Sequence, residues 1–203
     1  MIPAIEHGFA VLALWAVLGY LLGSVPFGVL ITRALGMGDV RKIGSGNIGA
    51  TNVLRTGNKG AAFATLVLDG GKGAVAVLIA RAMVGEDAAQ VAALAAFLGH
   101  CYPVWLRFKG GKGVATFLGI VLALSFPLGL AACATWAAVA AVTRWSSMAA
   151  LLAAGFTPVW AMFLGPGEVI VLTMALAVLI YVRHSANIAR LRAGTEPKIG
   201  QKG

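Results

Sequence analysis

The sequence predicts an all-α fold, a polytopic membrane helix bundle of about seven transmembrane helices in one domain, residues 1–203. Sixty per cent of its 203 residues are hydrophobic and only 11% are charged, whereas soluble proteins average about 25% charged residues. Its apolar stretches, such as 11–22, 88–98 and 169–182, carry almost no charge, which is typical of helices buried in lipid. Together these observations argue against a soluble enzyme.

The predicted spans follow the apolar stretches in chain order. They lie near 9–32, 60–82, 87–105, 113–126, 128–142, 147–163 and 167–182. No basic region and no small-residue cleavage site accompany the first span, so we expect it to be retained. The stretch 114–142 has two interpretations, one long helix or two short helices broken at Pro127. One long helix would place Arg144 and the basic tail outside, so we favour two.

The charged residues indicate how the bundle is oriented. The formal net charge is +9, which in a soluble chain would suggest a nucleic-acid partner. With the N-terminus outside, the outer segments contain Glu6, Glu86, Asp87 and Glu168 against Arg81 alone. The cytoplasmic segments contain Arg33, Arg41, Lys42, Arg55, Lys59, Arg107, Lys109, Lys112, Arg144, Arg183, Arg190, Arg192, Lys198 and Lys202. This positive-inside pattern predicts a cytoplasmic C-terminus and explains the basic excess without nucleic acid.

Cysteine usage gives little sign of metal or disulfide chemistry. The two cysteines, Cys101 and Cys133, lie in or beside predicted spans. Neither a disulfide framework nor a metal site is expected from them.

Three polar segments all fall on the predicted cytoplasmic face. They read GSGNIGATNVLR at 44–55, GHCYPVWLRFKGGKGVAT at 99–116 and YVRHSANIARLRAGTEPK at 181–198. The loop 36–59 that contains the first is long for a connection within a bundle, where about 2–8 residues are usual. Because the outer turns contain nothing comparable, we expect the three segments to form one site.

The first segment combines small polar residues with glycines. Ser45 and Asn47 alternate with glycines, which permit a close approach of backbone to ligand. If 51–55 begins a helical turn, Asn47, Thr51 and Arg55 share a face at a spacing of four, and arginine suits bidentate capture of phosphate or carboxylate. The alternative is a polar turn with Arg55 reaching lipid phosphates. The density of small polar groups favours the binding interpretation.

The second segment contains GGKG, at the start of the fourth predicted span. Gly110 and Gly111 free the backbone to turn N–H groups toward an anion, Lys112 adds positive charge, and the span supplies a helix N-terminus, which together favour phosphate binding. The segment is not a Walker A loop, because Gly113 follows Lys112 where Ser or Thr would bind magnesium. The alternative is a tight turn with Lys112 anchored at lipid headgroups. His100 flanks the same turn.

A similar sequence, DGGKGAVA at 69–76, lies inside a predicted span. Asp69 and Lys72 are three residues apart, so they share a helical face and can pair. Ionisable residues inside a membrane are costly and suggest function, although a pair that faces the bundle interior can simply fix helix packing. We favour the packing role for Asp69 and leave Lys72 open.

The third segment places three polar residues on one helical stripe. His184, Asn187 and Arg190 follow one another at a spacing of three. A histidine can donate a hydrogen bond, act as a general base or bind phosphate. An isolated interfacial histidine is usually a bystander, but this one accompanies asparagine and faces the same compartment as the other two segments.

The three segments, in this order, resemble the signature motifs of the bacterial acyl-phosphate-dependent glycerol-3-phosphate acyltransferases, which are integral membrane proteins. GSVPFG at 23–28 and DGGKG at 69–73 also resemble that family. The resemblance implies a seven-helix inner-membrane enzyme that transfers a fatty acyl group from acyl-phosphate to glycerol 3-phosphate, with its active site on the cytoplasmic side. The products are lysophosphatidic acid and phosphate, in the first acylation step of phospholipid synthesis.

The resemblance also implies roles for individual residues. Ser45 and Arg55 are essential, 110–113 binds glycerol phosphate, His184 and Asn187 complete the pocket, and Glu196 holds the tail in place. No metal or other cofactor is implied, the partners are the two substrates and membrane lipids, and a functional link to an acyl-phosphate-producing enzyme is expected. Our candidate catalytic residues are therefore Ser45, Arg55, His184 and Asn187. Our candidate substrate-binding residues are Asn47, Thr51, Gly110, Gly111, Lys112, Gly113, His100 and Lys72.

Two other functions compete with this interpretation. A carrier of organic phosphates would place its polar groups near the membrane midplane, in an inverted repeat, whereas here they lie on one face and no convincing repeat is present. A scaffold subunit would leave the three polar segments unexplained. The sequence contains no Ser-His-Asp arrangement, so direct transfer is favoured over a covalent serine intermediate.

Overall fold

The computed structural model describes residues 1–201, and every regular element within them is helical. The ten α-helices are α1 (Phe9–Gly23), α2 (Phe27–Ala34), α3 (Ala50–Leu54), α4 (Lys59–Met83), α5 (Glu86–Cys101), α6 (Val114–Leu124), α7 (Phe126–Thr143), α8 (Ser146–Leu164), α9 (Ile170–Arg183) and α10 (Ser185–Arg192). Short 3-10 turns lie at Val40–Lys42, Val104–Leu106 and Gly167–Val169. Lys202, which we predicted in the basic tail, lies outside the described residues.

Within residues 1–201, five helical segments are long and apolar enough to cross a membrane. They are Phe9–Ala34, Lys59–Met83, Glu86–Leu106, Phe126–Thr143 and Ser146–Leu164. The pair Gly167–Arg183 and Ser185–Arg192, bent by 63°, provides a sixth if it counts as one span. Helix α6, the fourth predicted span, has 11 residues, or about 16 Å of helix at 1.5 Å per residue. A count of seven spans therefore remains a prediction.

Two proline-associated breaks shape the bundle. The first predicted span, 9–32, corresponds to the candidate span Phe9–Ala34, and within it the helix is interrupted between α1 and α2 at Pro26, which lacks the N–H that an uninterrupted helix requires. The stretch 114–142 forms two helices, as we favoured. The break falls at Ser125, whose backbone is extended, and Pro127 lies in the first turn of α7.

Small residues let the helices pack closely. A side chain at Gly23 of α1 would come within 2.0 Å of the Ala96 carbonyl oxygen on α5, and one at Gly119 of α6 would come within 2.0 Å of the Gly70 carbonyl oxygen on α4. Close backbone approach of this kind is a general feature of membrane helix pairs. It builds the part of the bundle that carries Asp69 and the segment 110–113.

The connections between the helices lie at two opposite ends of the bundle, as contacts between helix ends show. At one end, the backbone N–H groups of Glu6 and His7 donate to Asp87, and Ser125 donates to the carbonyl of Leu164. At the other, which we call the site end, the side chains of Lys112 and Asn187 meet. The site end comprises 35–58, 102–113, 144–145 and 184–201.

We predict that the site end faces the cytoplasm, because it carries most of the basic residues. In a cysteine-free background, single cysteines at the exposed positions Lys59 and Lys198 should react with a membrane-impermeant maleimide only after the membrane is opened. A cysteine at the exposed Gly167 should react in sealed cells. Labelling at position 198 in sealed cells would contradict the predicted orientation.

Candidate active site

A cavity of about 690 Å³ opens at the site end, and all three polar segments contribute to its wall. The candidate residues that line it are Ser45, Asn47, Thr51, Arg55, His100, Lys112, Gly113, His184 and Asn187. Residues more than 130 positions apart in the sequence thus share one space, as the sequence analysis predicted. The wall also includes apolar side chains of α4, α6 and α7, namely Leu66, Leu118, Cys133 and Trp136.

The first polar segment, residues 44–55, forms one wall of the cavity and is organised around Asn52. The side-chain amide of Asn52 is buried and donates to the carbonyl oxygens of Val40, Ile43 and Asn47, at 2.7–3.0 Å. Its Oδ1 accepts from the backbone N–H of Ser45 at 3.2 Å and from the Arg55 guanidinium at 3.3 Å. One side chain therefore fixes both a candidate hydroxyl and a candidate cation.

The polar groups of this wall point toward different parts of the cavity rim. Ser45 is exposed, and its Oγ lies 3.4 Å from Asn52 Oδ1, a long hydrogen bond that leaves the hydroxyl available to a ligand. Thr51 lies on α3, and its Oγ1 is 3.2 Å from the Ser146 hydroxyl at the start of α8. Asn47 accepts from the N–H of Gly49, which closes the turn before α3.

The segment 110–113 delivers Lys112 and the N-terminus of α6 to the cavity. Within residues 1–201, the N–H groups of Lys112, Gly113 and Val114 donate to no protein acceptor. Gly113 adopts a positive φ of 84°, a conformation that glycine accepts readily. Free N–H groups at a helix start favour an anion, and the neighbouring ammonium strengthens that preference.

Gly110 and Gly111 do not act as we predicted. Their N–H groups donate to the carbonyl oxygens of Cys101 and His100, at 3.1 and 3.0 Å, so they are not turned toward an anion. Their own carbonyl oxygens accept from Arg183. Neither glycine lines the cavity. The two residues instead shape the turn that precedes Lys112.

Lys112 is the cation at the centre of the site. Its Nζ donates to Asn187 Oδ1 at 2.6 Å. Burial, and after it the positive charges of Arg190, Arg55 and Arg183, lower the pKa of Lys112 to about 8, although Glu196 opposes the shift. A partly dehydrated ammonium surrounded by other cations attracts an anionic ligand strongly.

His184 is held as a neutral ring at the break between α9 and α10. Its Nδ1 lies 2.8 Å from the Ile180 carbonyl oxygen, which can only accept, so Nδ1 carries the hydrogen. Burial, and then the charge of Lys112, lower the pKa of His184 to about 4. In the neutral ring Nε2 has no hydrogen, so it can accept a hydrogen bond from a hydroxyl.

Glu196 anchors the C-terminal segment to helices α8 and α10. Its carboxylate accepts hydrogen bonds from Ser147, Asn187 and Arg190 at 2.6–2.7 Å. Burial disfavours the charged carboxylate, but these hydrogen bonds outweigh it and lower the pKa of Glu196. Because Asn187 donates to Glu196, its amide oxygen is turned toward Lys112. The tail-holding role that we expected for Glu196 agrees with these contacts.

Lys72 does not line the cavity. It pairs with Asp69 at 2.8 Å, as the spacing of three predicted, and donates to the Val25 carbonyl at the α1–α2 break, also at 2.8 Å. Asp69 itself lines the cavity, beside His100. No group of three or more His, Cys, Asp or Glu side chains in residues 1–201 is arranged to hold a metal ion.

Sequence reasoning missed two residues that organise the site. Asn52 was one of several small polar residues in a loop, and nothing in its spacing marked it as the centre of a hydrogen-bond network. Arg183 was counted only as part of the basic tail, yet it donates to the Gly110 and Gly111 carbonyls and lies 5.0 Å from the ring centroid of Tyr102. The one available signal was its position next to His184.

Comparison with known proteins is consistent with this geometry. The glycerol-3-phosphate acyltransferase family model matches residues 13–194. A glycerol-3-phosphate acyltransferase of Cereibacter sphaeroides is 66% identical over 98% of this chain and 95% of its own. One of Ruegeria pomeroyi is 67% identical over 98% of both chains.

Solved structures show the same architecture. One is the crystal structure of PlsY, described as an integral membrane glycerol 3-phosphate acyltransferase, in its glycerol 3-phosphate form. It superposes with a TM-score of 0.87 at 38% identity, over 93% of this chain and 96% of that one. A lysophosphatidic acid form gives a TM-score of 0.85 at 37% identity, over 93% of this chain and 95% of that one. This chain is therefore a multi-pass integral membrane protein that belongs to the glycerol-3-phosphate acyltransferase family.

Proposed function

We propose that this protein, as a single domain, transfers a fatty acyl group from acyl-phosphate to glycerol 3-phosphate and releases lysophosphatidic acid and phosphate. The observation that carries the proposal is the composition of the cavity. A half-buried lysine, free helix-terminal N–H groups and an arginine form one part of it, and apolar side chains of the membrane helices form another. This combination suits two phosphate-bearing substrates, one of which has a long hydrocarbon chain.

Glycerol 3-phosphate fits the part of the cavity around Lys112. Its phosphate is a dianion near neutral pH, and the Lys112 ammonium together with the N–H groups at the start of α6 can neutralise it. One of its two hydroxyls can donate to Nε2 of His184, the ring nitrogen without a hydrogen. The known crystal forms of the related protein support this choice of acceptor, since one of them is described as the glycerol 3-phosphate form.

Acyl-phosphate fits the part of the cavity that reaches the membrane. Leu66 lines the cavity and is 46% exposed, and we infer that an acyl chain enters along it from the lipid side. Leu118, Cys133 and Trp136 provide further apolar surface. The donor phosphate would then lie at the polar rim, within reach of Arg55 and the Ser45 hydroxyl.

The transfer requires alignment more than covalent catalysis. The glycerol hydroxyl oxygen bonds to the acyl carbon, the bond from that carbon to the phosphate oxygen breaks, and the hydroxyl proton passes to the departing phosphate. Acyl-phosphate is a mixed anhydride with a good leaving group, so positioning and charge stabilisation account for most of the required rate. By accepting from one hydroxyl, the neutral His184 orients the other for the transfer, and Arg55 stabilises the charge on the departing phosphate.

The charge pattern supports a location of this reaction at the cytoplasmic face of the membrane. The site end carries most of the basic residues, which favours its exposure to the cytoplasm and a bacterial inner-membrane location. Acyl-phosphate hydrolyses readily, so an enzyme that produces it must supply the donor to the same membrane face. The cavity lies at one end of the bundle, which argues against the alternating access that a carrier requires.

Substitution of two cations should separate their roles. In purified protein supplied with palmitoyl-phosphate, Lys112→Ala should raise the KM for glycerol 3-phosphate by about 10- to 100-fold with a smaller loss of kcat. Arg55→Ala should lower kcat by about 100-fold or more, because it removes charge stabilisation in the transition state.

The exposed Lys109→Ala, in the same loop as Lys112, and Arg192→Ala serve as controls and should remain near wild type. Equal and small effects of Lys112→Ala and Arg55→Ala on every kinetic parameter would show that the assignment of these two cations is wrong.

The pKa of Lys112 predicts how the reaction depends on pH. Because that pKa is about 8 in the free protein, the ammonium loses its proton as the pH rises through 8. We expect kcat/KM for glycerol 3-phosphate to fall along this limb, since kcat/KM reports the ionisation of the free enzyme. Lys112→Arg should abolish the limb up to about pH 10, because a guanidinium stays charged. An unchanged limb in Lys112→Arg would assign it to another group.

A further inference from the structure

A buried charged network lies directly behind the segment 110–113. Asp69 and Lys72 of α4 and His100 of α5 are each at most 4% exposed. Burying such groups inside a membrane protein costs free energy, which suggests that they have a function. We predicted Lys72 and His100 as substrate-binding residues, but their surroundings indicate a different function.

The His100 ring supports the glycine turn before Lys112. A Cβ atom at Gly111 would lie 2.0 Å from His100 Nε2, so the turn lies flat against the ring. The His100 carbonyl also accepts the Gly111 N–H at 3.0 Å. Gly111 packs against the Nε2 edge of the ring, and His100 also lines the cavity. The ring therefore contacts the turn directly.

Asp69 faces the opposite side of the same ring. Its Oδ1 lies 3.6 Å from His100 Nδ1, a nitrogen that has no hydrogen-bond partner within residues 1–201. The same oxygen accepts from Lys72 at 2.8 Å, and Lys72 also donates to the Val25 carbonyl. The contacts thus run from the α1–α2 break, through α4, to the end of α5.

Lys72 also neutralises the negative charge of Asp69. The Asp69 carboxylate borders a cavity that must attract anions, and an uncompensated negative charge there would repel them. The buried Lys72 ammonium neutralises this charge from behind, without entering the cavity.

We propose that Asp69, Lys72 and His100 are positioning residues that hold the turn 110–111, so that Lys112 is presented to glycerol 3-phosphate. This inference rests on the proposed function. In this network Lys72 anchors and neutralises Asp69. Asp69 limits the movement of the His100 ring, and the ring supports the turn. A displacement of about 1 Å at a binding group can cost up to about 100-fold in rate, so this support matters for activity.

Two variants and a control test the proposal in purified, full-length protein. His100→Ala removes the ring. Asp69→Asn/Lys72→Met removes both charges together and so leaves neither group buried without its partner, which protects the fold. Glu86→Gln, which disrupts the ion pair with Arg81 at the opposite end of the bundle, is the matched control.

We expect hydrogen–deuterium exchange at Gly110 and Gly111 to accelerate about tenfold in both test variants. The KM for glycerol 3-phosphate should rise about tenfold while kcat stays within about twofold, a split that global loss of stability would not produce. Glu86→Gln should change neither quantity.

Wild-type exchange in His100→Ala would overturn the proposal, and so would faster exchange with an unchanged KM. A wild-type protein that releases no phosphate from palmitoyl-phosphate and glycerol 3-phosphate would instead contradict the proposed function. In that case the exchange rates alone still decide whether the network holds the turn.

Discussion

The hydrogen bond from the Lys112 ammonium to the Asn187 amide oxygen, 2.6 Å long, is the contact on which the rest of the site depends. It joins the turn before α6 to α10, two elements that are 75 positions apart in sequence. The second side of the Asn187 amide donates to Glu196, and Glu196 in turn is held by Ser147 and Arg190. The C-terminal segment is therefore fixed to the bundle through the same group that orients the lysine.

This arrangement explains why a strongly cationic site can exist at the edge of a membrane. Arg55, Arg183 and Arg190 all lower the pKa of Lys112, so their mutual repulsion is appreciable, and Glu196 is the anion that offsets it. In the proposed function, an anionic substrate compensates the remaining positive charge. Burial, and then the Lys112 charge, keep His184 neutral, with Nε2 free to accept a hydroxyl hydrogen. In the proposed function, the Lys112 charge thus serves phosphate binding and also favours the neutral His184 ring that orients a hydroxyl.

Much of this organisation could be predicted from the sequence, and the limits have physical reasons. Uncharged apolar runs identified the helices, and the three-residue spacing of Asp69 and Lys72 identified their pair, because both signals are local. The interruption at Pro26 was not predicted and the turn at 110–111 was misjudged, because backbone hydrogen bonds at a break depend on distant neighbours, here Lys72 and His100. Asn52 was missed for the same reason, since its hydrogen bonds depend on the folded shape of the loop.

The most direct test of the account uses palmitoyl-phosphate that is radiolabelled in its acyl chain. Purified protein is incubated with this donor, with and without glycerol 3-phosphate, and the label is then located. Direct transfer in an aligning site predicts labelled lysophosphatidic acid only when glycerol 3-phosphate is present, and no label on the denatured protein in either case. Stoichiometric label on Ser45 without glycerol 3-phosphate, absent from Ser45→Ala, would contradict direct transfer, and no labelled lysophosphatidic acid at all would contradict the proposed reaction.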